Sequence, residues 1–254
     1  MDPRVSHARE SAFTVEAEPG EVEAGEQLWM PVANALVRFV GVVQTVHRTP
    51  GPPREVGGVG AGPLPKVPNM TAIVGITDGN TVVIAGDSAG VGGGVTQPRL
   101  DAKVFTNGSY VIGYTSSFRM GQILRYAFKA PVPPEREEDL HAFMCTNFIN
   151  GVREGLKDGG WASKNNDQEE GGSFLVGVRG RLFEIGHDYQ VGELIDGYTA
   201  VGCGAEIALG ALHATGNADL SLESRAIAAL EAAAHFSTGV RAPFTIVRTA
   251  KDDG

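Results

Sequence analysis

Three times along the chain, two β-rich runs are separated by only two or three turn-forming residues. Thr71–Thr77 and Thr81–Asp87 flank Asp78-Gly79-Asn80, and Lys103–Thr106 and Ser109–Thr115 flank Asn107-Gly108. Ser173–Val178 and Arg181–Gly186 meet at Arg179-Gly180. A link this short can only turn the chain back on itself. A parallel neighbour needs a crossover of about a dozen residues or more. Asn-Gly between alternating apolar residues is the strongest short-range hairpin signal. Antiparallel pairing is therefore built into the sequence, and simple βαβ alternation is excluded.

Helices come between these hairpins in pairs. Ser117–Lys129 predicts one, stopped before Pro131. Glu137–Leu156 predicts a second, with Leu140, Phe143, Met144, Phe148, Ile149, Val152 and Leu156 nearly on one face at helical spacing. Cys203–Thr215 and Leu222–Phe236 predict two more, the last capped by Asp219 or Ser221. Tyr198–Val201 and Phe244–Val247 add strands. Antiparallel strands in groups and helices in pairs suit two stacked sheets with helices outside. A β-barrel cannot absorb four helices. The expected fold is α+β, a four-layer αββα sandwich.

Composition separates this region from what precedes it. Nine of the 14 prolines fall before residue 70. Residues 10–26 carry six glutamates, and Pro50–Pro68 holds six Pro and five Gly in nineteen positions, too few apolar side chains to offset ordering. The apolar run Leu28–Val46 has an acidic upstream flank and an Arg at position 38, poor credentials for a signal peptide or a membrane span. Residues 1–69 read as a leader, propeptide or upstream extension, with translation from Met70 an open alternative, and 71–254 as the domain. With 21 basic and 30 acidic residues the net charge is -9, against a nucleic-acid partner. Two cysteines do not make a disulfide framework, and a reducing, cytoplasmic setting is the simpler reading.

Three features have defined offsets from Thr71. Asp87 follows sixteen residues on in Ile84-Ala-Gly-Asp-Ser88, and Lys103 thirty-two residues on in Asp101-Ala-Lys-Val-Phe105. Gly113-Tyr-Thr-Ser-Ser117 then opens the first helix. Thr71–Gln122 resembles the start of a proteasome β-type subunit, above all the HslV-type peptidases, which are N-terminal-nucleophile hydrolases. The resemblance implies that sandwich fold, a ring of like subunits, peptide or unfolded-protein substrates and a separate ATP-driven unfoldase, since no ATP motif is present. It also implies a zymogen whose Thr71 is freed by removal of residues 1–70.

The chemistry is specific to a chain terminus. A Thr hydroxyl needs a proton acceptor. A free α-amine on Thr71 would serve, with a reference pKa of about 7.7–8.0. Inside a longer chain the same atom is an amide nitrogen without basicity. By resemblance, Lys103 stabilises the alkoxide, Asp87 holds the lysine, and the Ser116 N–H supplies the oxyanion donor. Cys203, in Val201-Gly-Cys-Gly204, stands where the family has a serine, and a thiol is the weaker donor. Ser237 matches a neighbouring serine, whereas the family's nearby aspartate is missing, with Ala234 or His235 in its place. Ala89, Arg99 and Thr115 are expected around the substrate pocket.

Taken alone, Thr71 is a strand residue, Asp87 a turn residue and Lys103 an edge lysine. Cys203 alone reads as a small buried thiol, and Gly90 to Gly94 as a mobile loop rather than a phosphate site. The six histidines lack ligand spacing, so no metal or cofactor is expected. Three functions stay open: a threonine-type endopeptidase, a catalytically silent ring or scaffold subunit, and a small-amide acylase of the same superfamily.

Overall fold

The structure is a computed structural model in which residues 28–32, 35–39, 70–92, 95–165 and 168–250 are described. The chain divides into the units Met1–Gly62 and Pro63–Gly254. Within the first, β1 (Leu28–Val32) pairs antiparallel with β2 (Ala35–Phe39). The linker-like stretch 50–68 lies outside the described residues, as does the acidic segment 10–26.

The second unit opens with β3 (Ile73–Thr77) and β4 (Thr81–Gly86), followed by β5 (Ala89–Gly92), β6 (Val95–Pro98), β7 (Val104–Asn107) and β8 (Tyr110–Tyr114). Next come the helices α1 (Phe118–Gln122), α2 (Leu140–Phe143) and α3 (Ile149–Asp158). The chain continues through β9 (Ser163–Asn165), β10 (Gln168–Glu170), β11 (Phe174–Val178), β12 (Arg181–Ile185), β13 (Val191–Glu193) and β14 (Tyr198–Val201). It ends with α4 (Ala205–Ala214), α5 (Leu222–Phe236) and β15 (Thr245–Ala250).

All three hairpins form as the turn signals require. At the third, Arg179 and Gly180 both take positive φ, 50° and 72°, the type I′ geometry that matches strand twist. A five-stranded sheet runs β13-β12-β11-β8-β7 and a four-stranded sheet runs β14-β3-β4-β15, with antiparallel neighbours throughout.

Strand alternation sorts the core into three apolar layers. Val74, Ile76, Val83 and Ala85 face α4 and α5 through Ala208, Leu212, Ala226, Ala229 and Leu230. On the same strands Ile73, Val82 and Ile84 point the other way, against Val104, Val111, Leu175 and Leu182 of the second sheet. The second sheet's outer face, Tyr110, Ile112, Phe174 and Val176, packs on Met120, Leu124, Phe148 and Val152. Helix layer, sheet, sheet, helix layer: the αββα sandwich is the observed fold.

The space between the sheets is set by missing side chains. A Cβ at Gly113 would sit 2.6 Å from both Ile73 Cγ2 and Ile84 Cγ2, and one at Gly177 would sit 2.5 Å from Val82 Cγ1. Gly113→Ala should therefore cost roughly 1–3 kcal/mol through overpacking. Urea unfolding measures this, and an unchanged midpoint would show that the sheets can separate freely.

The structure refines the sequence reading locally. Between Asp87 and Lys103, expected as a loop, the described residues include the hairpin of β5 and β6. Strands without a signal in the sequence are the short pair β9–β10 after α3 and β13, which extends the larger sheet, both too short to show a periodicity. The first predicted helix is α1 continued by a π turn, Ile123–Ala127. The second divides into a 3₁₀ turn, α2, a π turn at Met144–Phe148 and α3.

Candidate active site

Hairpin register brings the first two residues together. Ile73 pairs with Gly86, so Ala72 and Asp87 lie one step beyond the last rung, and Asp87 N–H donates to Ala72 O at 3.3 Å. Lys103 arrives from the opposite sheet, just before β7, where its carbonyl accepts from Tyr114 N at 3.0 Å. The sheets are thus bridged at one end by charged groups among apolar neighbours. Thr71, Asp87 and Lys103 are 3%, 2% and 4% exposed.

The three side chains form a closed triangle. Thr71 Oγ1 donates to Asp87 Oδ1 at 2.5 Å, and Lys103 Nζ donates to Thr71 Oγ1 at 2.5 Å and to Asp87 Oδ1 at 2.7 Å. Backbone donors complete the carboxylate: Ala72 N reaches Oδ1 at 3.1 Å, and Ala89 N and Arg241 N reach Oδ2 at 2.9 and 3.3 Å. A buried carboxylate needs such saturation. Burial holds the Lys103 ammonium below its ordinary pKa, and the Asp87 charge beside it opposes that shift.

A cleft of about 150 Å³ opens directly on Thr71 and Lys103. Ala89, Thr115 and Ser116 line it, together with Val91, Tyr114 and Phe118. Ser116 takes φ 61°, at the bend between β8 and the cap of α1, where Ser117 Oγ accepts from Arg119 N. Its own hydroxyl is turned away to accept from Ser173 N at 3.1 Å. Among the described residues the Ser116 N–H makes no hydrogen bond to the protein. Thr115 Oγ1 is tied to Ser173 O at 3.0 Å. Arg99 does not line this cleft. It stacks on Phe118 with 3.8 Å from Cζ to the ring centroid and forks Asp101.

Cys203 stands beside Met70 and Thr71 rather than in the cleft wall. Gly204 N donates to Thr71 O at 3.2 Å, and a Cβ added at Gly239 would lie 2.4 Å from Met70 Cβ and 2.9 Å from Cys203 Sγ. Cys203 Sγ is 3.5 Å from Ser237 Oγ. The expectation of a buried thiol is corrected, for Cys203 is exposed. Its glycine neighbours allow close backbone approach without providing a side-chain cover.

Two contributions were invisible in the sequence. The Arg241 N–H reaches Asp87 from 154 residues away, and a backbone donor leaves no mark on residue type. Val91 and Phe118 lack any signal apart from position. Among the described residues no group of three or more His, Cys, Asp or Glu could hold a metal ion, and no helix is long and apolar enough to cross a membrane.

No protein-family model matches the chain, and no curated protein does. Solved structures do. BPH of Thiobacillus denitrificans superposes with TM-score 0.61 at 22% identity, covering 72% of this chain and all (100%) of its own. The same protein in complex with epoxomicin gives the same values, TM-score 0.61 and 22% identity. The eukaryotic HslV from Trypanosoma brucei gives TM-score 0.53 at 21% identity, over 71% of this chain and 99% of that one. The chain has the proteasome β-type, HslV-like fold.

Proposed function

We propose that this chain is a threonine-type peptidase whose nucleophile is Thr71, made N-terminal by removal of residues 1–70. The observation that carries the reading is the buried triangle of Thr71, Asp87 and Lys103 at the mouth of a cleft. Three polar side chains desolvated at one point cost stability and add nothing to packing. Such an arrangement is expected where a hydroxyl has to be activated.

In the proposed cycle, the free α-amine of Thr71 takes the Oγ1 proton as the oxygen attacks the substrate carbonyl. Lys103 stabilises the developing alkoxide by charge, and Asp87 fixes the lysine. The Ser116 N–H, without a protein acceptor among the described residues, donates to the oxyanion. The amine then protonates the leaving group, and water resolves the ester on Thr71 with the amine again as base. Ala89 and Thr115 would contact the substrate. Assembly into a homo-oligomeric ring, service by a separate ATP-driven unfoldase and a cytoplasmic setting belong to the same proposal, supported by the fold's likeness to HslV.

N-terminal sequencing of the purified protein, paired with turnover of short fluorogenic peptides and N-acyl small molecules, tests it. A Thr71 terminus with peptide turnover is the expected result. Retention of residues 1–69 in assembled protein without turnover would establish the silent ring subunit instead. Turnover of N-acyl small molecules alone would establish the acylase.

Cys203 supplies a finer test. Restoring a hydroxyl as Cys203→Ser provides a stronger donor beside the amine, worth about 1 kcal/mol, which is about fivefold in kcat. Steady-state kinetics measure it. A lower kcat would mean the thiol is the fitted group.

A further inference from the structure

The other thiol has a separate constellation around it. Cys145 follows His141 by one helical turn, and its Sγ lies 3.6 Å from His141 Nε2. The opposite ring nitrogen, Nδ1, faces Glu193 Oε2 of β13 at 3.9 Å. A carboxylate on that side favours the Nδ1–H tautomer, which leaves the Nε2 lone pair toward the sulfur. Phe183 flanks the imidazole, with 6.2 Å between ring centroids, and Arg181 forks both carboxylate oxygens of Glu193. Thiol, proton acceptor and orienting carboxylate thus stand in the order that base-assisted thiol chemistry uses.

The surroundings make this more than a surface pair. Cys145 is exposed and borders a groove of about 420 Å³. Arg153, Glu169 and Asp188 bring both signs of charge to it, and Asn150 brings an amide. Tyr189 also lines the groove, and its buried hydroxyl has no hydrogen-bond partner among the described residues. The backbone under Cys145 is the π turn Met144–Phe148, a rare winding that is frequent at functional sites.

We propose that Cys145, His141 and Glu193 form a second, thiol-based site, separate from hydrolysis at Thr71, that is S-thiolated by small polar disulfides. The Cys145 proton passes to His141 Nε2. The thiolate bonds to one disulfide sulfur, the S–S bond breaks, and its electron pair leaves on the second sulfur. That sulfur takes the proton from the imidazolium and departs as a thiol. Cys145 is oxidised to a mixed disulfide while the departing half is reduced, so electrons balance. Arg153 and Glu169 are paired to each other at 2.7 Å, and with Asp188 and Asn150 they make the groove polar, which suits a polar partner rather than an apolar one.

The test treats the full chain with oxidised glutathione and follows each cysteine by site-resolved mass spectrometry. Wild type is expected to be thiolated at Cys145. His141→Phe, which keeps the ring contact with Phe183, should slow Cys145 about tenfold, as expected when a nucleophile loses the base that accepts its proton. Glu193→Gln should slow it less. The rate at Cys203 should stay the same in all three, which separates a local effect from unfolding, since unfolding would accelerate both thiols. His141→Gln gives the same reading if the Phe variant does not fold. A Cys145 rate unaffected by loss of the imidazole, or thiolation confined to Cys203, overturns the proposal.

Discussion

Thr71→Ala is expected to reduce peptide turnover to background while the sandwich stays folded. The substitution removes one oxygen and leaves the rest of the triangle in place. Lys103 still donates to Asp87 Oδ1 at 2.7 Å, and the carboxylate keeps its backbone donors from Ala72, Ala89 and Arg241. Losing a covalent nucleophile costs about 10⁴-fold or more when nothing else can form the acyl intermediate. Cys203 does not line the cleft, and the Thr115 and Ser116 hydroxyls that do are tied to the Ser173 backbone. Steady-state kinetics on a fluorogenic peptide, with thermal unfolding as the control for folding, provide the measurement. Turnover within tenfold of wild type would remove Thr71 from the chemistry.

How much of this was legible beforehand follows from what each feature depends on. Hairpins depend on two residues and a short link, and Asn107-Gly108 and Arg179-Gly180 specify their turns locally. The offset from Thr71 to Asp87 could be read because a hairpin converts sequence distance into register, with Ile73 opposite Gly86. Lys103 was harder to place, because its approach depends on two sheets stacking. The glycines that permit that stacking, Gly113 and Gly177, announce nothing about depth. Features built from backbone were not legible at all. The N–H groups of Ala89 and Arg241 on Asp87 and the positive φ at Ser116 depend on chain path rather than on residue type. The exposure of Cys203 was misread for a similar reason, since glycine neighbours fit both a covered thiol and an open one.

Lys103→Ala carries the second large effect, expected as a loss of about 10²–10³ in kcat. Among the described residues the ammonium is the one cation within hydrogen-bond reach of Thr71 Oγ1, at 2.5 Å, in a site almost closed to water. There a charge acts on the alkoxide with little screening. Stability falls as well, because Asp87 is left buried without its counter-charge, a loss of about 3–5 kcal/mol for a broken buried pair. The rate must therefore be measured on protein shown to be folded. The lysine itself also leaves a pH signature. Its folded pKa is held below the ordinary 10.5 by burial, so between the two values the unfolded chain binds more protons. Unfolding free energy from this group rises with pH across that window. Wild type should show this alkaline slope and Lys103→Ala should lack it. Equal slopes with an unchanged kcat would place the lysine outside the site and leave Thr71 without an electrostatic partner.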